Sequence, residues 1–81
     1  MIGVLTHHWA KPGSFDEVRA LLDRNGLAQS MAAGFSRRQT LLSITDASQI
    51  TTLVAWDSEE VYEAWRASPA RAETMAGAEE L

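Results

Sequence analysis

The sequence predicts an α+β protein with the β-α-β-β-α order of a ferredoxin-like unit, in which an antiparallel sheet carries its helices on one face. Three observations support this fold class. β-Branched and aromatic residues concentrate in three runs, at 2–9, 35–44 and 49–56. A helix-start pattern at Ser14 separates the first two runs. A second helix start, at Ser58, follows the third run directly and completes the order.

The chain is short, with 81 residues, and it contains no cysteine. A domain of this length buries only about 60–65% of its unfolded surface. No disulfide or cysteine-based metal site can compensate for the small core. Because small domains of this kind often gain stability by oligomerising, we expect one domain over residues 1–81 that forms a homodimer.

The charge pattern limits the possible partners. The formal net charge is −4, which argues against a nucleic-acid partner bound through a basic face. The side chains of the doublet Arg37-Arg38 should point to opposite faces of a strand, where we expect both to be solvated. Residues 1–9 lack a basic leader, and no run approaches the ~18 apolar residues of a membrane span. We expect no membrane partner and a cytoplasmic location.

The first strand should present two distinct faces, because strand side chains alternate. One face would carry Ile2, Val4, Thr6 and His8, and the other Gly3, Leu5, His7 and Trp9. Lys11-Pro12-Gly13 ends the strand in a turn. The adjacent histidines diverge, so they cannot chelate one metal ion together, and no other spacing predicts a metal site.

The first helix should begin at a capping box formed by Ser14 and Glu17. Asn25-Gly26 interrupts the helical pattern, but tertiary packing tolerates one glycine at a cost of about 1 kcal/mol. We therefore expect the helix to continue to about Ala33 and to stop at Gly34.

The corner between the third strand and the second helix holds an aromatic cluster. The strand ends at Trp56, Ser58 caps the helix, and acidic residues fill the first turn, where the helix dipole favours them. Tyr62 and Trp65 lie three residues apart, so they project from one face of a helix predicted over 59–67. These aromatics are either core anchors or the wall of a pocket, and the sequence leaves both open.

The last predicted element is a short third helix with Ser68 as cap and Pro69 at its first position, ending at Gly77. With the helices on one face of the sheet, the other face would be bare, although apolar residues occur on both sides of the strands. A second copy laid over that face would complete the core, which again favours a homodimer.

With these elements placed, the chain resembles the antibiotic biosynthesis monooxygenase family of dimeric α/β-barrel proteins. The similar segments are Lys11–Val18, Gly34–Gln39, Trp56–Glu60 and Tyr62–Trp65, and the match spans about residues 2–75. The resemblance implies a homodimer with sheets packed face to face and a cleft between sheet and helices in each subunit. Some members oxidise aromatic, polyketide-like substrates without metal or flavin, whereas others degrade haem, are isomerases or have no assigned activity.

Two features depart from the family pattern. Members usually add a fourth strand after the short helix, but residues 77–81 are too short and acidic for one, so the last strand should be short or missing. The haem-degrading branch needs a histidine near the end of the short helix and an asparagine on the first strand. Residues 68–81 hold no histidine, so haem degradation is disfavoured and we expect no cofactor. Met75 lies at about the right place and could ligate haem weakly, which leaves a haem-binding relative as an alternative.

His8 is the candidate general base, because a neutral imidazole can remove a phenolic or α-carbonyl proton. Trp65 is the candidate platform on which a planar substrate stacks. The remaining candidate substrate contacts are Tyr62, His7, Trp9 and Phe35. The simpler interpretation gives the histidines no role and makes the aromatics core residues.

Two functional hypotheses follow. The first is a cofactor-independent monooxygenase, or a related isomerase or cyclase, that acts on a small aromatic or polyketide-like molecule. The second is a non-catalytic dimeric module that binds a ligand or a partner, which the missing strand favours because it leaves a sheet edge free. Whether His8 and Trp65 face one enclosed cavity discriminates between them.

Overall fold

The computed structural model describes residues 1–81 and has the element order that the sequence predicts. The elements are β1 (Ile2–Trp9), α1 (Phe15–Ser30), β2 (Phe35–Leu42), β3 (Gln49–Trp56), α2 (Glu59–Arg66), α3 (Pro69–Thr74) and a 3₁₀ turn (Ala78–Glu80). No helix is both long enough and apolar enough to cross a membrane.

The three strands form one antiparallel sheet in the order β1-β3-β2. This is a ferredoxin-like α+β arrangement with three strands, as predicted. In the register, Ile2 lies opposite Trp56 and His8 lies opposite Ile50. On the other side of β3, a bulge between Phe35 and Arg37 shifts the pairing with β2. β1 and β2 are both edge strands.

The helices cover the face of the sheet that carries His8, which we call the inner face. The core on this face consists of two apolar clusters. One contains Ala10, Val18, Leu21, Leu22 and Ile50, and the other contains Val54, Trp56 and Trp65. Three buried polar residues, Asn25, Gln29 and Thr52, lie in the same layer. Buried polar groups need partners, so this part of the core is where a polar site is expected.

The opposite, outer face of the sheet has no helical cover. Its apolar side chains remain accessible, with Leu5 exposed by 56%, Leu53 by 38% and Leu41 by 41%. Apolar residues grouped on one bare face are typical of an interaction surface rather than of isolated surface leucines.

The first helix differs from its prediction at both ends. Ser14 has φ −107° and ψ 5°, and its side chain makes no capping bond, so the predicted capping box is wrong. Instead, the Ser14 N–H donates to the Lys11 carbonyl, which closes the preceding turn. The helix passes through Asn25-Gly26 as predicted but ends at Ser30, before Ala33. The N–H groups of the two residues that follow Ser30 each donate to the carbonyl three residues earlier in the chain, instead of four as in an α-helix.

The other boundaries lie close to the predicted ones, except that α3 ends at Thr74 rather than at the predicted stop at Gly77. Strand β3 is as predicted, whereas β2 ends two residues early, because the Ser43 hydroxyl accepts the N–H groups of Thr45 and Asp46 and starts a turn. Ser58 caps α2 by accepting the Val61 N–H, and Ser68 caps α3 in the same way. Gly34 has φ +81°, and a Cβ there would lie 2.5 Å from Val61 Cγ2. Only glycine fits this approach of β2 to α2.

Candidate functional site

A cavity of about 90 Å³ lies between the sheet and the helical layer. Its sheet side is formed by Val4, Thr6, His8, Arg38, Thr52, Val54 and Trp56. Its helical side is formed by Leu22, Asn25, Gln29, Tyr62, Trp65, Arg66, Arg71 and Met75. All three strands and all three helices contribute, so the fold as a whole positions this site.

The size of the cavity restricts what can enter it. A volume of 90 Å³ corresponds to about three waters and is below the ~150 Å³ that accommodates benzene. A second cavity of about 120 Å³ lies beside it, and His8 and Met75 line both. Leu22 lines both as well, and of these three side chains the unbranched Met75 is the most adaptable. The two volumes together are about 210 Å³. An aromatic ring therefore fits only after a side-chain rearrangement.

His8 is half-buried on the inner face of β1 and borders both cavities. Burial lowers the pKa of His8 below its ordinary value of 6.5, and the nearby charges of Arg38 and His7 act in the same direction. The ring is therefore neutral at pH 7 and can accept a proton. His7, in contrast, is exposed on the outer face, where its Nδ1 is bonded to the Thr51 hydroxyl at 2.8 Å.

Arg38 is the cationic group inside the site. Its Nη1 donates to Gln29 Oε1 at 2.6 Å, and its Nη2 donates to the Leu22 carbonyl at 2.9 Å. No carboxylate forms a salt bridge with it. Burial lowers the pKa of Arg38 and the charge of Asp23 opposes this, but a guanidinium remains charged in proteins. The expectation that both arginines are solvated is thus wrong for Arg38.

Gly26 explains how Arg38 reaches this position. A Cβ at residue 26 would lie 2.6 Å from Arg38 Nε, so the guanidinium group lies against the backbone of α1. A mid-helix glycine costs about 1 kcal/mol relative to alanine. Here the missing side chain provides the room for a half-buried arginine, which is the physical reason for the interrupted helical pattern.

The aromatic corner is both core and cavity wall. Trp56 is fully buried, and its ring stacks on that of Trp65 with centroids 6.1 Å apart at 26°. The ring of Tyr62 is tilted against that of Trp56, with centroids 6.1 Å apart, and the ring of Phe35 packs edge-on against Trp56, with centroids 5.8 Å apart. The buried Nε1 of Trp56 has no hydrogen-bond partner in the protein. Such an unpaired donor is unusual, since buried polar groups are nearly always satisfied.

The predicted site residues separate into two groups. His8, Tyr62 and Trp65 line the cavity together. Three others do not line it: His7 lies on the outer face, Trp9 is 60% exposed beside His7, and Phe35 packs behind Trp56. Trp9 instead lines the adjacent cavity of about 120 Å³. The role of all three in substrate binding stays a prediction without support from the first cavity.

Sequence reasoning missed the polar half of the site. Arg38, Asn25 and Gln29 line the cavity, and Asn25 Oδ1 accepts the Thr74 hydroxyl at 3.0 Å. The available signal was the Asn25-Gly26 interruption of an otherwise regular helix, which marks a place where another group approaches the backbone.

The site does not fit a haem or a metal ion. A cavity of 90 Å³ is far too small for a porphyrin, and Met75 is the only side chain from the end of α3 that lines it. The structure contains no group of three or more histidine, aspartate or glutamate side chains that could hold a metal ion.

Comparison with known proteins identifies the relatives of this architecture. The profile of the antibiotic biosynthesis monooxygenase family matches residues 1–77. Among curated proteins, none matches the chain.

Solved structures share the fold at low sequence identity. A Nitrosomonas europaea protein that carries the same family name is 12% identical, with a TM-score of 0.88 over 96% of this chain and 75% of its own. Rv0793 from Mycobacterium tuberculosis is 20% identical, with a TM-score of 0.87 over 98% of this chain and 80% of its own. A variant of SnoaB, a cofactor-independent oxygenase from Streptomyces nogalater, is 14% identical, with a TM-score of 0.85 over 98% of this chain and 81% of its own.

Proposed function

Because the chain belongs to the antibiotic biosynthesis monooxygenase family, we propose that it is a cofactor-independent monooxygenase for a small aromatic or polyketide-like substrate. The observation that carries this proposal is the shared cavity of His8 and Trp65, which joins a neutral base to an aromatic wall. The structural similarity to a cofactor-independent oxygenase is consistent with it.

In the proposed reaction, His8 removes a proton from an acidic C–H group of the substrate. The carbanion gives an electron to O₂, and a C–O bond then forms as a peroxide. The protonated His8 returns its proton to this peroxide, and loss of water leaves a carbonyl group. One CH₂ group and one O₂ become one carbonyl and one water, so the balance requires no external reductant.

The aromatic wall would orient the substrate. Trp65 is held rigidly by its stacking on Trp56, but it is only 5% exposed, so a substrate could contact it only after neighbouring side chains move. Because His8 is only half-buried and the lining includes the exposed Arg66 and Arg71, the bound substrate would itself have to displace water to protect a carbanion from reprotonation.

Oxygen consumption tests this proposal. We expect uptake with small phenols, hydroquinones or cyclic ketones. The His8→Ala variant should lower the rate at least about 100-fold, because general bases contribute about 10²–10⁴-fold. His7→Ala is the matched control on the outer face and should stay within about threefold of the wild type. Uptake by His8→Ala at the wild-type rate would remove His8 from the mechanism.

A second candidate function is a non-catalytic binding module, which the small cavity and the free edge of β1 favour. An isomerase or cyclase would use the same base without oxygen. Oxygen uptake and exchange of substrate protons with water, measured together, distinguish the three functions. A monooxygenase consumes O₂, an isomerase or cyclase exchanges substrate protons without consuming O₂, and a binding module binds the ligand but does neither. The cytoplasm stays our prediction for the location.

The proposal includes a homodimer, the assembly that is general in the family. The bare outer face of the sheet, with Leu5 and Leu53 exposed, is the surface on which a second copy would pack. Leu53→Asp should shift the mass measured by light scattering from dimer to monomer. Leu27→Asp, which changes an exposed leucine on α1, should leave the mass unchanged. A wild-type monomer at micromolar concentration would contradict the dimer.

A further inference from the structure

The first observation concerns a buried donor. The indole N–H of Trp56 is shielded from solvent, has no acceptor in the protein and belongs to a ring that lines the cavity. A buried donor without a partner is unfavourable, and because a water-sized molecule cannot touch this N–H, an acceptor would reach it only after a side-chain rearrangement.

The second observation is independent of the first and concerns charge. The guanidinium of Arg38 is half-buried, uses two of its five N–H groups on Gln29 and Leu22, and forms no salt bridge. The cavity lining includes no aspartate or glutamate, although the whole chain carries a net charge of −4. Arg71 adds positive charge among the exposed lining residues, whereas the charge of Arg66, also exposed, is compensated by Glu63 at 3.5 Å. This interior is thus opposite in sign to the protein around it.

The sheet register brings the two donors to the same region. Arg38 lies opposite Val54, and Trp56 lies two residues further along β3 on the same face. Diagonal neighbours of this kind are about 7–8 Å apart between backbones, within reach of long and aromatic side chains. The register therefore places both side chains on the inner face of the sheet, at neighbouring positions of the cavity lining.

We propose that this cavity binds the oxygen anion of an acidic organic ligand, an enolate, phenolate or carboxylate, with Arg38 as its donor and the Trp56 ring as part of its wall. Charge-assisted hydrogen bonds to a partly desolvated oxyanion are strong, and planar guanidinium groups suit such oxygens. As an account of catalysis, the inference rests on the proposed function: the anion formed when His8 removes a proton would place its oxygen at Arg38. As an account of binding, it stands without that function.

The test uses the full chain and small probes that match the cavity. Formate and acetate are compared with formamide and acetamide, which have similar size but no charge. The larger 4-cyanophenol forms a phenolate but requires a side-chain rearrangement to enter, and its comparison with the carboxylates separates the ligand classes. The readout is the ¹H–¹⁵N NMR signal of the Trp56 indole, one of three in the chain. We expect a saturable shift of this signal with the anions and at least a tenfold weaker affinity for the amides.

Matched variants locate the donor. Arg38→Gln should weaken acetate binding at least tenfold, whereas Arg37→Gln, one residue away on the outer face, should change it less than twofold. Arg38→Lys keeps the charge without the planar fork and should give an intermediate loss. Equal weakening by both glutamine variants, or equal shifts with acetate and acetamide, would overturn the inference.

The results also separate this inference from the proposed function. Arg38-dependent anion binding with no oxygen uptake on any substrate would support the inference and contradict the monooxygenase. Oxygen uptake that Arg38→Gln leaves at the wild-type rate would support the monooxygenase and contradict the inference.

Discussion

The outer face of the sheet is exposed and the inner face borders a cavity, and two pairs of adjacent residues of the same type show this difference. His7 and His8 are neighbours, yet one is exposed and bonded to Thr51, while the other is half-buried beside a cavity. Arg37 and Arg38 repeat the contrast on β2. The difference follows from the two-residue period of a strand, which gives neighbouring side chains unrelated surroundings. In this chain, the face of the sheet on which a side chain lies therefore determines its burial and its access to the cavity more than its residue type does.

The largest expected difference between the faces concerns the two strand-end tryptophans. Trp56 is fully buried and in contact with three other aromatic rings, so Trp56→Ala should lower the free energy of unfolding by about 3–5 kcal/mol. Trp9 on the outer face is 60% exposed, and Trp9→Ala should cost only about 0.5 kcal/mol. Urea denaturation of both variants measures this. Similar losses would show that the outer face is as well packed as the inner one.

A sharper comparison uses two glycines. At Gly26 a Cβ would meet Arg38 Nε at 2.6 Å, whereas at Gly3 the nearest atom is Leu53 Cδ1 at 3.8 Å. Gly26→Ala should displace the flexible Arg38 side chain and weaken acetate binding about tenfold. Its effect on the free energy of unfolding should stay within about 1 kcal/mol, because higher helix propensity offsets the lost Arg38 contacts.

Gly3→Ala is the control for this substitution and should leave acetate binding unchanged. Unaltered binding in Gly26→Ala, measured by the same Trp56 indole signal, would mean that the glycine does not set the position of Arg38.

The smallest effect is the pH dependence of stability. Burial, Arg38 and His7 lower the pKa of His8 in the folded state, so the unfolded chain binds more protons near pH 6. Stability from this group is therefore fully present above its ordinary pKa of 6.5 and declines as the pH falls below it. His8→Gln should flatten the fall in unfolding free energy between pH 7 and pH 5. An unchanged slope would show that His8 is not desolvated.

The fold was largely predictable because its signals are local. β1 and β3 follow from composition and alternation, and Ser58 caps α2 because its extended backbone, with φ −155° and ψ 165°, directs the hydroxyl at the Val61 N–H. Ser14 carries the same sequence signal but fails to cap, since the turn from Lys11 holds it in a different backbone conformation. Sequence shows a capping pattern but not the backbone angles that it needs.

The candidate site was predictable only in part, for a comparable reason. Alternation places His8 on the inner face, and helical spacing brings Tyr62 and Trp65 together. Alternation from Phe35 would place Arg37 inside, but the bulge between Phe35 and Arg37 puts Arg38 there instead. A one-residue irregularity of this kind has no clear signature in the chain, and it decides which arginine enters the site.

The most direct test of the account is whether the inner face removes a proton from carbon. The measurement is the exchange of the methyl protons of acetophenone, a small aryl ketone, with D₂O, followed by NMR for the wild type, His8→Ala and His7→Ala. The account predicts exchange above the uncatalysed rate in the wild type and in His7→Ala, and a loss of at least about 100-fold in His8→Ala. Equal exchange in all three proteins would contradict it.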